Sequence, residues 1–196
     1  MQLRRRSPGI PSNPPDPAEG FEHLDRKWLA VLRWLAINQI DYVLVGAVAQ
    51  ALRGATDAAG PVVIVPAPYG RNYQRLCTAL WTARARIRVE HAKPGDAETL
   101  PVKLSPDKLA LGRWALRCGV HEIDIEPSPA HHSEQQAGVS RYQELLYEAN
   151  RFELAAGVSV EVASPEDVEH YEYLRRTGLA PEIRITRQAR VENDAP

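Results

Sequence analysis

The sequence has little cysteine and no long apolar run, and each shortage excludes a class of protein. Only two of its 196 residues are cysteines, Cys77 and Cys118, and neither stands in a Cys-x-x-Cys or Cys/His spacing typical of a metal site. We expect two buried free thiols in a reducing cytoplasm. No apolar run approaches the roughly 18 residues that a membrane-spanning helix needs. We therefore expect a cytoplasmic protein without a membrane partner.

The charges are nearly balanced. The chain has 24 lysines and arginines against 25 aspartates and glutamates, a formal net charge of −1. Such a balance predicts no attraction of the whole surface to nucleic acid or to acidic membranes, and it leaves open whether one local region binds nucleic acid. With 44% hydrophobic and 25% charged residues, the composition is typical of a globular domain with a real core.

Composition divides the chain into three segments. Residues 1–20 contain five prolines and almost no apolar periodicity, so we predict a disordered Pro-rich arm. Residues 21–178 carry periodic apolar patterns and predict one folded domain. Residues 179–196 contain several arginines without a clear apolar face, which predicts a flexible basic tail.

The central stretch of the domain is a strand, a glycine turn, a short helix and a second strand. Residues 42–45 (YVLV) form an apolar run that is too short for a helix and ends at Gly46, which predicts a buried strand. Residues 47–52 have helix-forming composition, and Gly54 suits the position after the helix end. Residues 62–65 (VVIV) are β-branched and bounded by prolines, so they predict a second buried strand.

Further periodic segments flank this stretch. Apolar residues at helical spacing predict helices over about 22–38 and 71–83, and Ser140 with Gln143 predicts a capping box at the start of another helix. Ser164-Pro165 begins a last helix that we expect to run to about Thr177 and to stop at Gly178. Alternating residues predict strands over 86–90 and 109–118 and a hairpin of 151–155 with 158–163, and a short extended piece is expected at 102–104.

An acidic strand follows Gly119. In Val120-His-Glu-Ile-Asp-Ile-Glu126 the three carboxylates of Glu122, Asp124 and Glu126 are spaced by two and share one face of the strand. Three neighbouring carboxylates repel one another and raise one or more of their pKa values. The pattern leaves two alternatives: the acids are solvated on an exposed face, or they meet a cation.

The order of these elements resembles the nucleotidyltransferase-like superfamily, specifically the minimal nucleotidyltransferases and the toxins of abortive-infection systems. The resemblance implies an α/β protein in which helices flank a small mixed β-sheet. In that family the first strand ends in Gly-Gly or Gly-Ser, and the second carries an Asp-x-Asp pair that holds Mg²⁺. Here the glycine pair is Gly46-Ala47, and Pro61 and Val63 stand at the two aspartate positions. Neither side chain can bind a metal.

Asp124 stands where the family places its third carboxylate. The resemblance implies that such an aspartate is a metal ligand and a base toward the attacking hydroxyl. Toxin-type members also have a lysine on the last helix, whereas the last lysine of this chain is Lys108. A second set of functional groups is therefore missing.

We therefore predict a catalytically degenerate nucleotidyltransferase-fold protein that binds a protein partner or a nucleotide, with no cofactor. A nucleotide would bind at Gly46 and Ala47 and at the basic residues near Arg71. The alternative is an active nucleotidyltransferase with a rebuilt Mg²⁺ site, in which Asp124 is joined by Glu122, Glu126 or Asp57. Either form would fit a component of a toxin–antitoxin pair. His131-His132 lie in a polar loop, which favours solvated side chains over metal ligands.

Overall fold

One mixed sheet forms the centre of the fold. The computed structural model describes residues 7–89, 97–128 and 140–177. In that part of the chain eight strands pair in the order β4-β3-β5-β6-β2-β1-β8-β7. The strands are β1 (Tyr42–Val45), β2 (Val62–Pro66), β3 (Arg86–Arg88), β4 (Thr99–Pro101), β5 (Trp114–Cys118), β6 (His121–Ile125), β7 (Asn150–Ala155) and β8 (Val158–Val162).

Six helices in the described ranges flank this sheet. They are α1 (Arg26–Ile37), α2 (Gly46–Leu52), α3 (Gly70–Thr82), α4 (Pro106–Leu111), α5 (Arg141–Tyr147) and α6 (Pro165–Thr177). Helix α1 packs against β2, β6 and β8, while α6 packs against α2 and β1. The predicted α/β class with a mixed sheet and flanking helices is confirmed. No helix in the described ranges is both long enough and apolar enough to cross a membrane.

Strands β1 and β2 form the buried middle of the sheet. They pair antiparallel, with Tyr42 opposite Pro66 and Val45 opposite Val63. β1 also pairs parallel with β8, and β2 pairs parallel with β6. Every residue of β1 and β2 is buried, which explains why both read as continuous apolar runs rather than as alternating patterns. Both predicted strands are confirmed.

Residues 7–20 lie against the domain, which differs from the disordered arm expected from their prolines. The indole Nε1 of Trp34 donates a hydrogen bond to the Pro8 carbonyl at 3.1 Å. The Ala18 backbone N–H donates to the Leu154 carbonyl at 2.7 Å. The first contact lies at α1, where Trp34 is fully buried, and the second joins the segment to β7.

The segment before β5 is a helix where the sequence predicted a strand. Ser105 caps α4 by accepting a hydrogen bond from the Lys108 backbone N–H, and Pro106 occupies the first turn. This is the same Ser-Pro start that predicted α6 correctly. β5 therefore begins only at Trp114, and the extended piece expected at 102–104 lies instead at β4.

The later elements match the sequence closely. The capping box of Ser140 and Gln143 is present at the start of α5. β7 and β8 form the predicted antiparallel hairpin, with Gly157 at φ +68° in its turn. Helix α6 ends at Thr177, while Gly178 and residues 179–196 lie outside the described residues, as do His131 and His132.

Both cysteines are free thiols. Cys118 is buried on β5, and burial raises its pKa to about 12. Cys77 on α3 is half-buried, and burial raises its pKa as well.

The covering of α1 by residues 7–20 is tested by two equivalent substitutions. We expect Trp34→Ala to lower the free energy of unfolding by about 3–5 kcal/mol because it empties a fully buried site. Trp81→Ala, at a helix position that is 83% exposed, should cost less than about 0.5 kcal/mol. Denaturant unfolding measures both values. Similar small costs for the two variants would contradict the packing of residues 7–20 on Trp34.

Candidate functional site

The three carboxylates of β6 face a common layer of side chains. Asp124 lies opposite Val63 on β2 and opposite Ala115 on β5. Glu122 lies opposite Arg117 on β5. The acidic face predicted from the spacing thus lies inside the sheet, on the strand between β5 and the β1–β2 core.

Arginines bridge these carboxylates in pairs. Arg88 on β3 reaches Glu122 Oε2 with Nη1 at 2.7 Å and Asp124 Oδ1 with Nη2 at 3.0 Å. Arg113, just before β5, reaches Asp124 Oδ2 with Nη2 at 3.6 Å and Glu126 Oε1 with Nε at 3.0 Å. The sequence left two alternatives for these acids, solvation on an exposed face or contact with a cation. The structure shows contact with a cation, and that cation is arginine.

Arg117 extends the network toward the sheet edge. Its Nη2 lies 2.9 Å from Glu122 Oε1, and its Nη1 lies 2.8 Å from Glu98 Oε2. Partial burial acts to raise the pKa of Glu122, but the hydrogen bonds and charges of Arg117 and Arg88 outweigh burial and hold this pKa below its usual value. Glu122 is therefore ionised at neutral pH.

Asp124 is the most deeply buried acid of the group, with a fully buried side chain. Burial raises its pKa to about 6, and the charges of Arg88, Arg113 and Arg175 offset part of that effect. Taking a carboxylate out of water costs several kcal/mol, and the attraction of the nearby arginines returns only part of that cost here. The two bridging arginines are thus what keeps Asp124 ionised at neutral pH.

Glu126 connects the acidic strand to α6. The Tyr171 hydroxyl on α6 donates a hydrogen bond of 2.7 Å to Glu126 Oε1. Burial, together with the adjacent Glu126 charge, raises the pKa of Tyr171, so it remains a neutral donor. The Arg141 guanidinium lies 6.0 Å from the centre of the Tyr171 ring, within the range of a cation–π contact.

The glycine turn is present, and a valine fills the space beside it. Gly46 has φ +69°, a left-handed conformation that favours glycine. A methyl group at Gly46 would lie 2.7 Å from Val63 Cγ2 and 3.6 Å from Tyr171 Cε1. Val63 is fully buried, so an apolar side chain occupies the position where the resemblance calls for an acid. Pro61, at the other acid position, is also buried just before β2.

The structure brings together only some of the residues proposed for nucleotide binding. Gly46 and the buried Ala47 follow the end of β1 that pairs with Val63. Arg71 is exposed on α3, which follows the opposite end of β2. Because β1 and β2 are antiparallel, Arg71 lies at the other end of the sheet from Gly46. Asp57 is an exposed loop residue.

The arginine partners are what the sequence interpretation missed, since it named no residue as the cation that the acids meet. A signal across the two strands was available: Arg117 lies on β5, which forms a hairpin with the acidic strand, and Arg113 directly precedes β5 at a spacing of four. Within the described ranges, no group of three or more histidine, cysteine, aspartate or glutamate residues could hold a metal ion.

No model of a protein family matches the chain, and no curated protein matches it significantly.

The burial of Asp124 predicts a specific pH dependence. Because its pKa rises from 3.8 in the unfolded chain to about 6 in the fold, its contribution to stability is full below pH 3.8 and is lost as the pH rises through 6. Relative to Asp124→Asn, which cannot titrate, the wild-type free energy of unfolding should fall by about 2 kcal/mol between pH 4 and 6, out of about 3 kcal/mol over the full titration.

Denaturant unfolding at a series of pH values measures this difference. Asp57→Asn, at an exposed aspartate, is the matched control for the loss of one carboxylate. A wild-type protein that gains stability over Asp124→Asn as the pH rises from 4 to 6 would show that the arginines outweigh burial, contrary to the prediction.

Proposed function

We propose that this protein has a nucleotidyltransferase-like fold whose metal-dependent chemistry has been lost, and that it acts by binding a protein partner or a nucleotide. One observation carries the proposal: Asp124 is paired with Arg88 and Arg113, and Val63 occupies the adjacent position on β2. Guanidinium groups thus contact the acid that would hold a divalent cation, and a valine methyl group stands where the resemblance would put a second acid.

The element order supports the kinship. A buried strand ends in a glycine of positive φ, a seven-residue helix follows, and an antiparallel strand returns beside it. The strand with the third carboxylate then pairs parallel with that returning strand. These are the positions on which the sequence resemblance rests.

The electrostatics of the site argue against ordinary turnover. Nucleotidyl transfer in this superfamily depends on Mg²⁺ to neutralise the triphosphate and to position the nucleophile. Removing one stabilising contact of this kind can cost about 3 kcal/mol of transition-state stabilisation, and two of the three expected acids are replaced here. The remaining acid would also have to leave its arginine partners to bind a metal.

Exposed aromatic residues favour a protein partner over a nucleotide. Tyr147 at the end of α5 is 90% exposed, and Tyr173 on α6 is half exposed. Tyrosine is enriched at protein interfaces because it supplies apolar area at a low entropy cost. A nucleotide at Gly46 would instead depend on Arg113, Arg141 and Arg175 around Tyr171, because Arg71 is remote.

A transfer assay tests the loss of chemistry. The protein is incubated with each labelled nucleoside triphosphate, with RNA or protein acceptors, and with Mg²⁺ or Mn²⁺. We expect no transfer above that of Asp124→Ala, because the ligand set is incomplete. Transfer by the wild type that Asp124→Ala abolishes would support the alternative of an active enzyme, including a toxin that modifies its target.

Restoring the two acids tests the kinship separately. In Pro61→Asp/Val63→Asp the new side chains would share a sheet face with Asp124, and position 63 lies directly opposite it on the next strand, at a strand spacing of about 4.8 Å. We expect Mn²⁺ to raise the melting temperature of this variant, because an ion that binds only the folded state stabilises it. The matched control is Pro61→Asn/Val63→Asn. An equal response of the two variants to Mn²⁺ would contradict the assignment of positions 61 and 63 as former ligand positions.

A further inference from the structure

A cavity lies on the other face of the sheet from Asp124. We propose that this cavity, between residues 10–14, the start of α1 and the β5–β6 turn, binds a small organic molecule with an apolar body and one anionic group. Nothing in the resemblance or in the carboxylate network assigns a role to this region.

The cavity is large enough and apolar enough for such a ligand. Its volume is about 620 Å³, within the range of roughly 300–1,000 Å³ that is typical of small-molecule sites. Its apolar walls come from separate parts of the chain: Ile10, Pro14, Ala30, Ala83 and Val120. A mainly apolar lining with a few polar groups is the usual composition of a ligand site.

The register places this cavity away from Asp124. Cys118 and His121 are paired and line the cavity. Side chains alternate along a strand, so His121 points to the face opposite Glu122 and Asp124. Ligand binding in the cavity is therefore separate from the proposed loss of metal chemistry.

One wall is held in place by an ion pair. Arg26 Nη1 lies 3.3 Å from Asp16 Oδ1, and its Nη2 donates to the Pro14 carbonyl at 3.3 Å. Arg26 thereby ties residues 14–16 to α1 and fixes the outer wall. Its own charge is already compensated by Asp16.

Lys27 supplies the positive charge that would pair with the anionic group of a ligand. In the described ranges its ammonium group has no ion-pair partner, although it lines the cavity. The nearest acid in sequence, Asp25, uses its Oδ1 to accept a hydrogen bond from the Lys27 backbone N–H at 2.8 Å. A single available ammonium beside apolar walls suits one carboxylate or phosphate group and not a polyanion such as a nucleoside triphosphate.

The remaining polar groups of the cavity are uncharged at neutral pH. Burial lowers the pKa of His121. The buried Nδ1 of His121 has no hydrogen-bond partner in the described part of the chain. Burial raises the pKa of Cys118 to about 12, so this residue contributes an apolar thiol. Lys27 is therefore the group that selects for an anion.

Calorimetry with three matched probes tests the proposal: octanoate, octyl phosphate and the neutral octanol. We expect saturable binding of at least one anionic probe at one site per chain, at least about tenfold tighter than octanol. The tighter of the two anions identifies the head group. Lys27→Ala should weaken the anion about tenfold and leave octanol unchanged, while Ala83→Leu should weaken all three probes because it fills the cavity.

Lys103→Ala, at an exposed lysine outside the cavity, is the matched control and should bind like the wild type. Lys27 is itself exposed, so its variant is expected to fold normally, which thermal unfolding verifies. The proposal is overturned if neither anion binds saturably, if octanol binds as tightly as the anions, or if Lys27→Ala and Lys103→Ala have the same effect.

Discussion

The rest of the candidate site depends on one constraint, which is that the Asp124 carboxylate is buried. A charged group without exposure in the middle of a sheet is costly unless cations compensate for it. Arg88 and Arg113 approach it from β3 and from the start of β5, and each also binds a neighbouring glutamate of the same strand. Arg88, Arg113 and the three acids thus form one compensated network, which Arg117 and Glu98 extend.

The network also explains how α6 is placed. Glu126 is shared between Arg113 and the Tyr171 hydroxyl, and the Tyr171 ring lies beside Gly46 and Val63. The glycine turn, the β2 valine and the acidic strand therefore form one packed unit. A valine in this unit contributes packing without a charge, and an acid there would add to the charge that the arginines already have to balance. The β2 valine and the arginine partners of Asp124 are in this sense two parts of one arrangement.

The sequence predicted the elements whose signals are local. The apolar runs of β1 and β2, the capping box at Ser140 and the Ser-Pro start of α6 each depend on residues within a few positions, and the structure confirms them. The packing of residues 7–20 on Trp34 and the pairing of Arg88 with Asp124, 36 positions apart, depend on contacts between distant parts of the chain. Periodicity carries no information on such contacts. The acidic face was therefore predictable, but its cation was not.

The central claim is that arginine, and not a divalent metal, neutralises the acidic strand. Thermal unfolding of the wild type and of Asp124→Asn during titration with Mn²⁺ and Mg²⁺ tests it most directly, since any ion bound only by the fold raises its melting temperature. The account predicts the same response to either ion in both proteins. A saturable rise in the wild-type melting temperature that Asp124→Asn abolishes would contradict it.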